Sequence, residues 1–287
     1  MRIYRHLDWL SITLGADCIW QSFIPGLEWQ LSGAGRHGYT KRYIDKRTGA
    51  TLETASSDKS MGHHLTLSGE PLAELRALAL ITDDSVCQQI AAWDGKVSRV
   101  DLAIDAWGCN FTPGKLSKDL QSHAARIKAR TWRLIEGHRG GVAGDTLDTG
   151  SPVSDKRFRM YDKGAEKRIK DGDAWMRLEL QLRRKFARGA TASCTMNGTQ
   201  ATITGHIADY LHWQNPEYAQ ILIADGVVPA PIPRGDAKRR VWLKGQVARA
   251  LASEIAMDEN FRAEFDAVVG YWYERLTNPN KPSTLDR

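Results

Sequence analysis

The sequence predicts an α+β fold, with a body of strands and helices over residues 1–227 and a small helical unit over residues 228–287. Several segments of the body alternate polar and apolar residues with a period of two, which is typical of half-buried strands. The proline-rich segment Val228–Arg234 favours an extended backbone and is interpreted as a linker. After it, the apolar residues follow helical spacing.

Each predicted element rests on its own pattern. The period-two segments predict six strands: Asp8–Leu14, Tyr39–Ile44, His64–Leu67, Val97–Trp107, Arg157–Lys163 and Trp175–Arg183. Apolar residues three and four positions apart predict five helices: Pro71–Ala79, Asp84–Trp93, Lys115–Lys128, Lys238–Met257 and Asn260–Thr277. The segment Gly137–Asp155 is rich in Gly, Asp and Ser and is expected to form a loop.

The basic residues are concentrated in one part of the chain. The 287 residues carry a net charge of +6. The stretch from Asp155 to Arg188 contains 12 Lys and Arg against 6 Asp and Glu, so it alone accounts for an excess as large as that of the whole chain. One interpretation of this stretch is a hydrated surface, but the alternation of its basic residues with apolar ones is not typical of a disordered tail, and the positive charge favours a polyanionic partner.

Composition also excludes several classes of protein. The four cysteines are widely separated and form no Cys-x-x-Cys pair, which argues against a zinc ribbon, a thioredoxin-type site and a secreted disulfide scaffold. The longest apolar runs are too short to span a bilayer, and the N-terminus lacks the pattern of a signal peptide. A cytoplasmic protein without a membrane partner is therefore expected.

Three predicted strands carry an unusual polar face, because residues i, i+2 and i+4 of a strand share one side. The polar residues of these faces are Arg99, Asp101, Asp105, Arg159, Tyr161, Lys163, Arg177, Glu179, Gln181 and Arg183. One interpretation is the hydrated outer face of an antiparallel sheet with cross-strand ion pairs. The other is a single site in which carboxylates hold a divalent cation, Arg and Lys bind a phosphodiester, and a tyrosine is the nucleophile.

The order of four motifs resembles a known family. These motifs are DWLSITL near the start, SRVDLAID in the middle, TGSPVSDKRFRMYDKGAE, and WMRLELQLRRKFA. Over about residues 7–190 they resemble the Rep_trans-type replication initiation factors, the rolling-circle initiators of small plasmids and some filamentous phages. In the segment Thr146–Ser154, Asp148 stands where the family motif has an aromatic residue.

The resemblance implies a fold related to the HUH endonucleases, with a central antiparallel sheet and helices packed on it. It implies that a tyrosine attacks one DNA strand at an origin, joins the 5′-phosphate and leaves a free 3′-OH. Matched motif by motif, Tyr161 is the nucleophile, with Arg159 and Lys163 on the same strand face stabilising its oxyanion or the phosphate. No His-hydrophobic-His motif is found, and the adjacent His63 and His64 would point to opposite faces of a strand.

The expected cofactor is Mg²⁺ or Mn²⁺ held by Asp101, Glu179 and Asp105. The expected partner is origin DNA, single-stranded or as a hairpin at the nick site, together with a host helicase and a second copy of the chain. The residues expected to contact DNA are Arg99, Arg177, Arg183, Lys238, Arg239 and Arg240. Four tryptophans are candidates for stacking on unpaired bases: Trp107, Trp132, Trp175 and Trp213.

Two alternatives remain open from the sequence. A tyrosine recombinase would use His123 and Arg126, which fit a His-x-x-Arg pattern, but its catalytic domain would be mostly helical. A non-cleaving DNA-binding regulator on the same fold would bind an origin or operator without using the hydroxyl of Tyr161.

Overall fold

The computed structural model describes residues 1–55, 61–139, 142–169 and 173–223. The predicted linker and the two predicted C-terminal helices lie outside the described residues, as do Lys238, Arg239 and Arg240. The division into two domains and the role of these three basic residues therefore stay predictions.

The described residues contain one large antiparallel sheet. The strands are β1 Arg2–Leu14, β2 Trp29–Gly33, β3 Lys41–Asp45, β4 Thr51–Thr54, β5 His63–Leu67, β6 Lys96–Trp107, β7 Ala125–Ile127, β8 Trp132–Ile135, β9 His138–Arg139, β10 Val142–Ala143, β11 Thr146–Thr149, β12 Lys156–Asp162, β13 Trp175–Arg183 and β14 Leu211–Trp213. Ten of them form the sheet, in the order β2-β3-β4-β5-β1-β6-β13-β12-β11-β8. Two small sheets pair β9 with β10 and β7 with β14.

Helices α5 and α6 pack against the central strands. The helices are α1 Gly69–Ala77, α2 Asp83–Ala92, α3 Pro113–Gln121, α4 Lys163–Glu166, α5 Arg184–Asn197, α6 Thr199–Tyr210 and α7 Pro216–Ile223. Both α5 and α6 contact β6 and β13. The core between these layers is built from leucines of β13 and apolar residues of β6, which are fully or almost fully buried: Val100, Leu102, Ile104, Leu178, Leu180 and Leu182.

A bulge in β1 changes which residues face the polar side of the sheet. The register with β6 shifts between Leu7 and Trp9, although Leu7 and Leu10 are both fully buried. Such a shift is typical of a β-bulge, in which two residues of one strand oppose one residue of its partner. Asp8 and Trp9, although adjacent in the chain, consequently both face the polar side of the sheet, where they line one cavity. After the bulge, Trp9, Ser11 and Thr13 alternate with buried Leu10, Ile12 and Leu14, as the period-two pattern of Asp8–Leu14 predicts. Before the bulge, the even-numbered residues, including His6, face the polar side of the sheet.

The predicted helix Lys115–Lys128 is wrong in its second half. Helix α3 ends at Gln121, and His123 has a left-handed backbone with φ of 64°. The chain then forms the short strand β7.

Two other boundaries also differ from the prediction. Strand β12 ends at Asp162, whose side chain accepts a hydrogen bond from the Ala165 amide at 2.9 Å, so Lys163 opens helix α4 instead of continuing the strand. The predicted loop Gly137–Asp155 contains the strand β11, which pairs with both β12 and β8. Helices α5 and α6 were not predicted, because Ala, Thr, Ser and Gly at many of their positions weaken the apolar pattern.

The ten-stranded sheet contradicts the recombinase alternative, which requires a mostly helical catalytic domain. Among the described residues, no helix has the length and apolar character needed to cross a bilayer.

Truncating a core side chain of β6 should destabilise the fold. Leu102 is fully buried opposite Leu180 of β13, so Leu102→Ala should lower the free energy of unfolding in urea by about 2–5 kcal/mol. The control is Leu31→Ala on strand β2, where the leucine is 63% exposed, and it should change stability by no more than about 0.5 kcal/mol. Equal effects of the two substitutions would contradict the packing described above.

Candidate active site

A cavity of about 1050 Å³ lies against the polar face of the central strands. Strands β1, β6, β12 and β13 all contribute side chains to it, and the N-terminal part of α1 and helix α4 complete its wall. The lining residues that carry chemistry include His6, Asp8, Tyr161, Lys163, Arg177 and Glu179.

Strand register brings the predicted residues together. On β13, Arg177 lies between Asp105 of β6 and Tyr161 of β12. Two residues further, Glu179 lies between Ala103 of β6 and Arg159 of β12. Directly paired residues share a face of the sheet, so Tyr161, Arg159, Glu179, Arg177 and Asp105 occupy one surface. This juxtaposition agrees with the single-site interpretation of the three polar faces.

The hydroxyl of Tyr161 is held by a carboxylate. Its Oη donates a hydrogen bond to Oε2 of Glu179 at 3.0 Å. Burial raises the pKa of Tyr161 well above the usual value for a phenol, and the negative charge of Glu179 raises it further. The neighbouring Arg177 acts in the opposite direction but does not outweigh these two effects. Tyr161 is therefore a protonated phenol in this state, and its activation requires transfer of the proton.

Glu179 is an ionised acceptor although it is only 2% exposed. Burial alone would raise the pKa of Glu179, but the charge and hydrogen bond of Arg159 and the hydrogen bond from Tyr161 hold it below its usual value. The Arg159 guanidinium pairs with the second carboxylate oxygen, Oε1. One oxygen of Glu179 thus pairs with the Arg159 guanidinium, and the other accepts the hydrogen bond from the candidate nucleophile, Tyr161.

Asp105 and Arg177 form a buried bidentate ion pair. Arg177 donates to the two Asp105 oxygens at 2.7 and 2.8 Å, and through Nη1 to Asp8 Oδ1 at 2.8 Å. Nε2 of His6 lies 3.0 Å from Asp105 Oδ2. Burial would raise the pKa of Asp105, but the hydrogen bonds from Arg177 and His6 lower it far below its usual range.

This ion pair bears on two predicted roles. Arg177 and His6 contact both oxygens of Asp105, and Arg177 is only 5% exposed. The metal-binding role of Asp105 and the DNA contact of Arg177 stay predictions, and each would require these buried contacts to rearrange.

Asp101 is also paired with an arginine. Arg99 contacts both of its oxygens, through Nε at 2.9 Å and through Nη2, and the guanidinium lies 4.1 Å from the ring centre of Trp9. Burial raises the pKa of Asp101 to about 6, against the effect of the Arg99 hydrogen bond. Asp101, which the sequence predicted as a metal ligand, thus holds the guanidinium of Arg99, whose side chain is 25% exposed.

Two further predicted basic residues, Lys163 and Arg183, lie where strands end: Lys163 directly follows β12, and Arg183 is the last residue of β13. Lys163 pairs with Glu166, and its Nζ is 5.5 Å from the ring centre of Tyr161. Lys163 therefore lies beside the candidate nucleophile, Tyr161, although it belongs to α4. Arg183 donates to the Pro152 carbonyl at 2.7 Å, at the far end of β13 from Trp175.

The acidic residues nearest Tyr161 fit a divalent cation in part. Within the described residues, no group of three or more His, Cys, Asp and Glu has metal-binding geometry. Mg²⁺ commonly uses only one or two carboxylates and completes its shell with water and substrate phosphate. Arg159 and Tyr161 contact the two oxygens of Glu179, and Arg177 contacts Oδ1 of Asp8. A cation at either carboxylate would therefore share these oxygens or displace their partners, as it would at Asp101 and Asp105.

His6 and Asp8 line the cavity but are absent from the predicted site residues. The predicted strand begins only at Asp8, although the alternation of Tyr4, His6 and Asp8 with Ile3, Arg5 and Leu7 extends it toward the N-terminus. The bulge that directs both Asp8 and Trp9 to the cavity has no comparable signature, because it depends on pairing with β6.

The four candidate tryptophans have different environments. Trp107 and Trp175 stack on each other with ring centres 5.1 Å apart, and both line the cavity. Trp132 lies on β8 with 37% exposure. Trp213 is buried, and its ring nitrogen donates to Asp119 at 2.6 Å, which is typical of a core residue. Only Trp107 and Trp175 of this group therefore adjoin Tyr161 through the cavity.

Comparisons with known proteins agree with the resemblance found in the motifs. Residues 95–220 match the family model of the replication initiation factors (Rep_trans). A solved structure, that of a rolling circle replication initiator protein from Geobacillus stearothermophilus, superimposes with a TM-score of 0.63 at 22% sequence identity. The match covers 85% of this chain and 95% of that chain. None of the curated proteins compared matches the chain. The predicted fold, an α+β initiator fold with a central antiparallel sheet, is confirmed.

Removing the buried charge of Asp105 should destabilise the protein. Asp105→Asn leaves Arg177 buried with only Asp8 as an acidic partner, and should lower the free energy of unfolding at pH 7 by about 3 kcal/mol. The control Asp209→Asn breaks an exposed pair with Lys128 and should cost less than about 1 kcal/mol.

The pH dependence gives this prediction a sign. The pKa of Asp105 is lowered in the folded state, so its contribution is complete above the unfolded pKa of about 3.9 and declines as the pH falls below that value. The difference between wild type and Asp105→Asn should therefore shrink in urea titrations at acidic pH. A difference that grows on acidification would contradict the ion-pair assignment.

Proposed function

We propose that this protein is a rolling-circle replication initiator that nicks one strand of origin DNA through Tyr161 and later rejoins strands. The observation that carries the proposal is the hydrogen bond from Tyr161 to the ionised Glu179, in a cavity bordered by arginines. A phenol next to a proton acceptor, with guanidiniums for the phosphate, fits nucleophilic attack on a phosphodiester. The family match and the fold support the same activity.

The proposed step conserves atoms and charge. Oη of Tyr161 attacks the phosphorus, the phenolic proton passes to Oε2 of Glu179, and the bond between phosphorus and the 3′-oxygen breaks. The products are a 5′-phosphotyrosine and a 3′-hydroxyl, and the leaving oxygen takes up a proton from water while Glu179 returns the phenolic proton to solvent. Because the phosphotyrosine retains the energy of the phosphodiester, a free 3′-hydroxyl can reverse the step and reseal the strand.

Cationic side chains would bind the phosphate during this step. Arg159 has a 32% exposed side chain on the same strand face as Tyr161, and Lys163 lies near the tyrosine ring. A divalent cation, Mg²⁺ or Mn²⁺, would be held by Asp8 and Glu179 only by sharing the oxygens that Arg177 and Arg159 now contact, and would supply positive charge for the phosphate and the leaving oxygen. Origin DNA is the proposed partner, and a host helicase and a second copy of the chain are proposed from the resemblance alone.

Tyr161→Phe should abolish nicking and the covalent adduct while leaving DNA affinity unchanged, since only the nucleophilic oxygen is lost. The measurement is the yield of protein–DNA adduct with a single-stranded oligonucleotide library of random sequence and Mn²⁺. Tyr4→Phe is the matched control, because Tyr4 also lines the cavity and is 44% exposed. Adduct formation by Tyr161→Phe, or its loss in Tyr4→Phe alone, would assign the reaction to another tyrosine. Binding without any cleavage by wild type would favour the non-cleaving regulator.

Glu179→Gln should reduce the nicking rate by about 10²–10⁴, because an amide cannot take up the phenolic proton. The rate is measured at saturating DNA, because Glu179→Gln both removes a negative charge near the phosphate and releases Arg159 from its ion pair. A loss that persists at saturating Mg²⁺ would assign Glu179 to proton transfer, and one that excess Mg²⁺ restores would assign it to metal binding. The control is Glu70→Gln, a cavity residue whose side chain is 88% exposed. Normal nicking by Glu179→Gln would contradict both roles.

A further inference from the structure

The polar face of the sheet continues beyond the cavity, across β11 to the edge strand β8. Arg159 pairs across the strands with Asp148 of β11, and Asp148 pairs in turn with Arg133 of β8. Arg157 lies two residues before Arg159 and shares its strand face. We refer to Asp148, Arg133 and Arg157 as the Asp148 cluster.

A single buried carboxylate fixes two arginines in this cluster. Asp148 is 2% exposed. Arg157 donates to its Oδ1 at 2.7 Å through Nε and to its Oδ2 at 2.6 Å through Nη2. Arg133 donates to Oδ2 through Nη2 at 2.8 Å and through Nε at 3.2 Å. Burial would raise the pKa of Asp148, but the hydrogen bonds from Arg157 and Arg133 lower it, so the carboxylate is ionised.

The cluster presents positive charge to the surface. Two guanidiniums share one carboxylate, and the Arg133 side chain is 62% exposed whereas that of Asp148 is 2% exposed. A guanidinium has five N–H donors, and Asp148 engages each arginine only through Nε and Nη2. The opposite edge of a guanidinium fits the paired oxygens of a phosphate.

We propose that the Asp148 cluster binds the phosphodiester backbone of single-stranded DNA on one side of the nick site. In this assignment Arg133 and Arg157 contact phosphates, and Asp148 is a positioning residue that holds their guanidiniums. The inference rests on the proposed function, because it extends the DNA path from Tyr161. It also gives a role to the acidic residue that stands at an aromatic position of the family motif.

The distance between the cluster and the nucleophile fits a short length of DNA. Arg133 is two strands across and two residues along from the register position of Tyr161, which corresponds to about 12 Å. At the stacked rise of about 3.4 Å per nucleotide, this is three to four nucleotides. Because backbone contacts carry no sequence information, the cluster should strengthen binding to every sequence alike.

Binding of labelled oligothymidylate in EDTA tests the proposal without requiring cleavage. Arg133→Ala should weaken binding about threefold to tenfold and should reduce the slope of log affinity against log salt by about 0.7, the value for one contact on single strands. The control is Arg126→Ala, an exposed arginine on β7 outside the large sheet, which should leave both quantities unchanged. Identical behaviour of the two variants would overturn the proposal.

Asp148→Asn distinguishes two effects of Asp148 on DNA binding: positioning of the two guanidiniums and the negative charge of the carboxylate itself. Removing a negative charge near phosphate would strengthen binding if only the net charge mattered. If Asp148 positions the guanidiniums, Asp148→Asn should instead weaken binding, and adding Arg133→Ala to it should cause less further loss than in wild type. Thermal unfolding of each variant verifies that it is folded, and Arg133→Ala tests the cluster independently if Asp148→Asn is unstable.

Tighter binding by folded Asp148→Asn would overturn the positioning role. A wild-type chain that binds DNA but does not cut it would contradict the proposed chemistry alone and leave the cluster supported. A wild-type chain that does not bind oligothymidylate would contradict both.

Discussion

Ion pairs between buried carboxylates and arginines, made on one face of the sheet, determine the arrangement of the whole candidate site. Asp101, Asp105, Asp148 and Glu179 are each 2% exposed, and each contacts at least one guanidinium. An unpaired charge at such depth would cost several kcal/mol, so every carboxylate requires its arginine for the fold to be stable. Cross-strand register selects most of these partners, and the guanidiniums are therefore positioned by strands instead of mobile loops.

This arrangement separates charge by depth. The carboxylates lie at the base of the side-chain layer, and several of their arginines reach toward solvent, with exposed fractions of 25% for Arg99 and 32% for Arg159. In the proposed function this surface would attract phosphate although the layer beneath it is acidic. Arginines that are already fixed lose little conformational entropy when a phosphate binds, which is the advantage of a preorganised site. Tyr161 differs from these arginines, because its hydroxyl donates to Glu179 and burial keeps it a protonated phenol in this state.

The sequence predicted the parts of this site that depend on period-two alternation. The polar faces of β6, β12 and β13 follow directly from the spacing of Asp101, Arg159 and Glu179 in their segments. The pair of Asp101 with Arg99 follows from their spacing on one strand, but the partners of Asp105 and Glu179 depend on the register between strands far apart in the chain. Spacing alone therefore did not reveal that Asp105 pairs with Arg177 and Glu179 with Arg159.

Other errors have equally local causes. The strand that contains Tyr161 ends one residue before Lys163 because the Asp162 side chain caps the next turn, an effect that alternation does not register. The sequence did not predict that β1 contributes His6 and Asp8 to the cavity, because the bulge at Asp8 depends on pairing with β6. Helices α5 and α6 escaped prediction because small residues reduce their apolar contrast. Periodicity thus identified the polar faces of the strands, whereas tertiary contacts and local caps determined the ion-pair partners and the ends of the elements.

The central claim is that Tyr161, held by Glu179, is the residue that becomes joined to DNA. The most direct test is to isolate the covalent adduct formed with a single-stranded oligonucleotide library, digest it with protease and nuclease, and locate the nucleotide on the peptides by mass spectrometry. We expect a 5′-linked nucleotide on the peptide that contains Tyr161. A nucleotide on the peptide that contains Tyr4, or a linkage through a 3′-phosphate, would contradict it.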